Sequence, residues 1–167
     1  MIYNFMERKK IETYFTFAIY SNLTIQDQQL ISNAISSMNF AYAPYSGFNV
    51  GASVLLENGE IINGSNQENI AYPSGLCAER VALFYAGARF PDIGINTIAV
   101  SVSSKDFKID DIVSPCGACR QVMAEYEENQ EKNIRVILHS PNNKVLIADS
   151  VEDLLPFKFK SSLLKKH

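Results

Sequence analysis

Stretches with a two-residue apolar period alternate along this chain with stretches of helical period, and that alternation restricts the fold more than any other feature. Ile11, Thr13, Phe15, Phe17 and Ile19 alternate with Glu12, Tyr14, Thr16, Ala18 and Tyr20, which predicts a strand over 11–20. Thr24-x-x-Asp27 resembles a capping box. Behind it Leu30, Ile31, Ala34, Ile35, Met38 and Ala41 recur at helical spacing, with Pro44 as the stop. Asn58-Gly59 stands between strand-like runs at 49–56 and 60–63, the pattern of a hairpin. Residues 77–88 are rich in helix formers and 95–102 read as a buried strand. Residues 117–128 predict a helix with Val122, Met123 and Tyr126 on one side. Runs at 134–138 and 144–147 predict two strands joined through Pro141-Asn142-Asn143, and a short helix starts near Val151. The order β-α-β-β-α-β-α-β-β-α predicts an α/β fold, a three-layer α/β/α sandwich with a mixed sheet.

A length of 167 residues, 47% of them hydrophobic, suits one domain over 1–167 with one core. The net charge of -3 argues against a nucleic acid polymer as partner, which would favour a basic surface. The stretch 11–20 is too short for a membrane span and is broken by Glu12, Thr13 and Thr16. The expectation is a cytoplasmic protein with no membrane partner. In that setting the acceptor-like tripeptides Asn22-Leu23-Thr24 and Asn63-Gly64-Ser65 carry no meaning.

Three cysteines, Cys77, Cys116 and Cys119, are an odd count that does not suit a disulfide framework. Cys116 and Cys119 follow Pro115 at the start of a predicted helix. Their three-residue spacing puts them on one face, and a helix N-terminus favours thiolate over thiol. Two such thiolates are half of a tetrahedral zinc site, and Cys77, opening the other helix, can supply a third ligand. His139, at a strand end, and His167, the last residue, lack metal-motif spacing to any cysteine. Three ligands with one open position are the pattern of a catalytic zinc. Glu79, two residues after Cys77, points away from the ligand direction and suits a proton-transfer role beside the ion. Arg80 and Arg120 follow Glu79 and Cys119, and both are candidates to hydrogen-bond thiolate sulfur. Cys77-Ala-Glu79 followed by Pro115-Cys-Gly-Ala-Cys119 matches the three-cysteine variant of the zinc deaminase signature.

Six blocks carry a wider resemblance: Ala41-Tyr-Ala-Pro-Tyr-Ser46 with Phe48, Val50-Gly-Ala52, Asn66-x-Glu68-Asn69, Cys77-Ala-Glu-Arg80, Ser114-Pro-Cys-Gly-Ala-Cys-Arg-Gln121 and Leu154-Leu-Pro156. Over about 26–159 the chain resembles the small homotetrameric cytidine deaminases. The resemblance implies one zinc ion per chain on Cys77, Cys116 and Cys119, with Glu79 as proton shuttle. It implies Phe48 as a wall of a nucleoside pocket, Asn66 and Glu68 on the sugar hydroxyls, and Ala78 among the substrate contacts. Tyr72 would approach a neighbouring subunit's pocket, and Phe159 would stack on the pyrimidine bound in another subunit of a homotetramer. Residues 1–22 would be an N-terminal extension with an extra strand. The implied reaction is hydrolytic deamination of cytidine and deoxycytidine to uridine and deoxyuridine plus ammonia, as in pyrimidine salvage. Ser65, Ile70 and Phe157 depart from the family's usual cysteine, small residue and glycine; the last departure leaves Phe157 as an alternative to Phe159.

Two other readings stand beside this one. A deaminase of related fold could act on blasticidin S or on RNA, and a catalytically dead relative could be a zinc-stabilised binding protein. Asn66-x-Glu68-Asn69 favours a free nucleoside, the acidic balance disfavours RNA, and the presence of Glu79 disfavours loss of catalysis.

Overall fold

The computed structural model describes residues 6–160. Residues 1–5 of the expected N-terminal extension, and His167, lie outside them. The strands are β1 (Thr16–Ile19), β2 (Phe48–Leu56), β3 (Ile61–Ser65), β4 (Ile95–Ser104), β5 (Arg135–His139) and β6 (Lys144–Ala148). The helices are α1 (Ile25–Ser37), α2 (Ala78–Arg89), α3 (Gly117–Gln130) and α4 (Val151–Leu154). The strands form one sheet in the order β1-β6-β5-β4-β2-β3. Only β4 and β5 run parallel. A parallel neighbour needs a crossover, and α3 supplies it. The mixed sheet of the expected α/β/α arrangement is therefore present.

One face of the sheet packs Ala99, Ile137 and Val145 against Leu30, Ile31 and Ala34 of α1. The other face packs Val54, Ile98 and Val136 against Ala82 and Leu83 of α2 and Met123 of α3. At roughly 25 cal/mol per Å² of buried apolar surface, these two layers supply the main driving force for folding. Thr24 caps α1 by accepting from the Asp27 amide at 3.1 Å, as its spacing predicts. The helix ends at Ser37 and tightens into a 3-10 turn at Met38–Phe40, so it stops short of the predicted approach to Pro44. Asn58-Gly59 turns the β2–β3 hairpin, with the Gly59 amide donating to Leu56 at 3.0 Å.

The first strand is shorter than predicted: 16–19 pair with β6, and 11–15 do not join the sheet. Its large alternating residues, Phe15, Phe17 and Ile19, are exposed, while Ala18 packs towards α1. Strand periodicity identifies two faces but not which face a neighbouring layer covers. A second feature beyond pattern recognition is Glu127, buried on α3. Its carboxylate accepts from the Ile134 amide, the Val151 amide and the Ser150 hydroxyl, each at 2.8 Å. One side chain thus ties α3 to the start of β5 and the N-terminus of α4.

Candidate active site

Topology brings the cysteines together. Strands β3 and β4 both pair antiparallel with β2, and Gly51 faces both Ser65 and Ser101, so β3 and β4 point the same way and finish at one end of the sheet. The segments that leave those ends lead to α2 and α3, whose caps are Cys77 and Cys116. Gly64 on β3 allows the close approach: a Cβ there would lie 2.6 Å from the Ala78 carbonyl oxygen and 2.7 Å from the Ala82 nitrogen. Any side chain at Gly64 would push the first turn of α2 off the sheet.

The three sulfurs lie within 4.8 Å of one another, with Cys77 to Cys116 at 3.8 Å and Cys116 to Cys119 at 3.5 Å. Tetrahedral zinc holds sulfur at about 2.3 Å, which separates two of its sulfurs by about 3.8 Å. The separations of 3.8 and 3.5 Å are close to that value, and three convergent thiols are a donor set that suits the ion. Among the described residues no other group of three metal-binding side chains converges. Cys77 and Cys116 cap helix N-termini, where the dipole favours negative sulfur, and the Cys119 amide donates to the Cys116 sulfur at 3.5 Å. The Cys77 thiol is pulled down to about 5 by its hydrogen bond with Cys119, then by those with Arg80 and Cys116. Cys119 is pushed up by the same bond and by burial, so of these two thiols Cys77 ionises first.

Glu79 is 4% exposed and is not part of the sulfur cluster, yet it lines the same cavity as Cys77 and Cys116. Burial raises its carboxyl above the usual range, with a further contribution from the Cys77 charge. Arg80 reaches the cluster, its Nη2 lying 3.6 Å from the Cys77 sulfur. The structure corrects the matching expectation for Arg120, whose Nη1 donates to the Leu154 carbonyl at 3.1 Å. Position next to a ligand does not decide where a long side chain goes. Here a free carbonyl at the end of α4 captures Arg120.

The cavity above the cysteines measures about 700 Å³ and takes in Phe48, Asn66, Glu68, Tyr72 and Glu79 among its walls. Asn66 is buried and already holds β2: its Oδ1 accepts from the Val50 amide and its Nδ2 donates to the Phe48 carbonyl, both at 2.8 Å. One amide hydrogen and one lone pair remain for a ligand. Glu68 accepts from the Ser46 hydroxyl at 2.5 Å and from the Tyr45 and Ser46 amides at 2.9 and 3.3 Å. The Ser46 hydroxyl, followed by those amides, holds its carboxyl below the ordinary range. Ser46 stands in the first of the six blocks, and its spacing there does not reveal this contact with Glu68. Tyr72 meets Tyr45 edge-on, ring centroids 6.2 Å apart. Ala78 is fully buried and does not line the cavity. Phe159 is 63% exposed and also lies outside its own chain's cavity walls; Gln121 clamps its backbone from α3 with bonds of 2.9 and 3.1 Å.

Residues 24–132 match the family described as the cytidine and deoxycytidylate deaminase zinc-binding region. A cytidine deaminase of Halalkalibacterium halodurans is 47% identical over 98 residues, spanning 59% of this chain and 70% of that one. A probable cytidine deaminase of Dictyostelium discoideum is 33% identical over 132 residues, spanning 79% and 82%. The crystal structure of cytidine deaminase from Burkholderia pseudomallei superposes with a TM-score of 0.71 at 38% identity, covering 82% of this chain and all of that one. The match thus extends well beyond the cysteine motifs, and the chain belongs to the cytidine deaminase family of enzymes.

Proposed function

We propose that the chain hydrolyses the 4-amino group of cytidine and deoxycytidine, giving uridine or deoxyuridine and ammonia, with one zinc ion held by Cys77, Cys116 and Cys119. The observation that carries this reading is a buried carboxylate, Glu79, beside three convergent sulfurs on the wall of a nucleoside-sized cavity. Bound zinc lowers the pKa of water from about 15.7 to near 7. Glu79 takes a proton from the attacking water and passes it to N3 of the pyrimidine as C4 becomes tetrahedral. It then transfers the second proton to the amino group, which leaves as ammonia as the C4 carbonyl forms. Burial raises the Glu79 carboxyl above its ordinary range, which makes its carboxylate a stronger proton acceptor for the first of these steps.

The substrate class follows from the charges in the cavity. Its charged lining residues are Glu68, Glu79 and Arg80, and Arg80 is engaged with Cys77. A 5′-phosphate would meet an anionic Glu68 with no free lysine or arginine among the lining residues to receive it. That balance favours free nucleosides over nucleotides and supports a place in pyrimidine salvage. Asn66 and Glu68 are the proposed sugar contacts and Phe48 the proposed wall.

In this reading the active form is a cytoplasmic homotetramer. Phe159, anchored by Gln121 but exposed, stacks on the base in a neighbouring subunit's pocket, and Tyr72 lies near a subunit boundary. No helix of the described residues is long and apolar enough to cross a membrane. The primary test follows the loss of cytidine absorbance with purified protein, with and without a zinc chelator. Turnover that the chelator abolishes and zinc restores is the expected result; turnover indifferent to metal removal would overturn the zinc reading.

A further inference from the structure

Phe48 is backed by a residue that does not itself line the cavity. The ring of Phe107 stacks on that of Phe48, centroids 6.1 Å apart and planes 12° from parallel. Phe107 stands in the segment 105–116, which joins β4 to the Cys116 cap. Asp106 in the same segment sits hard against Gly47: a Cβ at Gly47 would lie 1.9 Å from the Asp106 Oδ2, and Gly47 holds φ at +62. Only glycine meets both conditions comfortably. The residues before β2 are therefore fastened twice. Glu68 holds Tyr45 and Ser46, while Asp106 and Phe107 hold Gly47 and Phe48.

Phe107 is not needed to dock the segment. Ile109, Ile112 and Val113 pack on the core, and Asn142 Nδ2 donates to the Asp110 carbonyl at 2.7 Å. Phe107 is 49% exposed, so its main structural partner is the ring of Phe48 rather than the interior. Offset stacking adds to burial alone and restricts both rings. A wall held in one orientation binds a ligand without first having to be ordered.

We infer that Phe107 is a positioning residue for the nucleoside: its stack on Phe48 fixes the aromatic wall of the cavity, without touching the reacting atoms. The inference rests on the nucleoside reading proposed above. Phe107→Ala raises KM for cytidine roughly three- to tenfold, the range a lost aromatic pair corresponds to. It leaves kcat within about twofold and zinc content at the wild-type level. Phe107→Tyr, which keeps the ring, restores KM, and Phe107→Leu does not. Calorimetric titration with uridine, which needs no turnover, shows the same weakening in Phe107→Ala and the same rescue. An unchanged KM and uridine Kd in Phe107→Ala would overturn the inference, as would a matched loss of kcat and zinc, which would trace the effect to the Cys116 segment. The uridine titration also separates the two proposals. A wild type that binds uridine through Phe107 yet does not deaminate cytidine refutes the reaction and leaves the positioning role standing.

Discussion

The Arg80 guanidinium lies 3.6 Å from the Cys77 sulfur, and this contact places a fixed positive charge on a thiolate-rich cluster. Its hydrogen bond to Cys77 raises the arginine's own pKa further, so the charge persists at every working pH. Three thiolates on a dication carry an excess negative charge, which weakens the ion as a Lewis acid unless something withdraws it. Arg80→Ala is expected to fold normally and lose roughly ten- to a hundredfold in activity or zinc affinity, the usual cost of removing a partner of a metal ligand. Steady-state rates and chelator competition measure it. Wild-type values for both would make Arg80 a packing residue.

Glu79→Gln is expected to keep zinc and fold while losing at least about a hundred- to ten-thousandfold in kcat. Burial disfavours the ionised carboxylate, so removing the charge takes away a cost of folding. The variant's thermal midpoint should equal or exceed that of wild type. Activity within threefold of wild type would end the proton-shuttle assignment.

Removing zinc should destabilise the protein, because the cysteines tie the first turns of α2 and α3 together. Zinc at a thousand times its Kd contributes about 4 kcal/mol, a difference of roughly 8–16 °C in thermal midpoint for a chain of this size. Scanning calorimetry with and without chelator measures the shift, and Cys119→Ala should resemble the chelated protein. One full zinc per chain in Cys119→Ala would contradict the ligand set.

Phe159 is exposed and lies outside its own chain's cavity walls, so mixed oligomers test whether it serves another subunit. Glu79→Ala and Phe159→Ala are each expected to be badly impaired. Unfolded and refolded together, they should regain activity above either parent, because some pockets then receive one intact residue from each chain. If mixing restores nothing, Phe159 does not act across subunits, and the exposed Phe157 is the next residue to exchange.

His139 contributes to the pH dependence of stability. It is 7% exposed at the end of β5, with Nδ1 3.2 Å from the Ser101 hydroxyl, Tyr20 edge-on to its ring, and no hydrogen-bond partner at Nε2. Burial lowers its pKa below the ordinary 6.5, and the nearby Asn143 side chain opposes this only in part. Above pH 6.5 the ring is neutral in both folded and unfolded chains and contributes no pH dependence. As pH falls through that value the unfolded chain takes up a proton that the folded one declines, so stability drops until the lower folded pKa is reached. Urea unfolding at pH 7.5 and 5.5 should show a smaller difference for His139→Asn than for wild type. Equal differences would mean that His139 titrates alike in both states.

Local chemistry decided much of this protein in advance. The Thr24 cap, the Asn58-Gly59 turn, the helix carrying Met123 and the two cysteines three residues apart each depend on neighbours within one turn of chain, so they are readable in sequence. What tertiary structure alone decided are choices between distant partners. Cys77 and Cys116 meet because β3 and β4 finish at the same end of the sheet, a consequence of strand pairing rather than of spacing. Arg80 and Arg120 hold equivalent places in sequence, yet one finds sulfur and the other a carbonyl of α4. Phe15, Phe17 and Ile19 alternate as a strand in sequence, but β1 lies at the sheet's edge where no helix among the described residues buries them. Glu127 on α3 is buried because two backbone amides and a hydroxyl from later segments need its carboxylate. A polar side chain settles on whichever unpaired donor or acceptor the folded backbone presents, and in sequence those groups lie too far away to be seen.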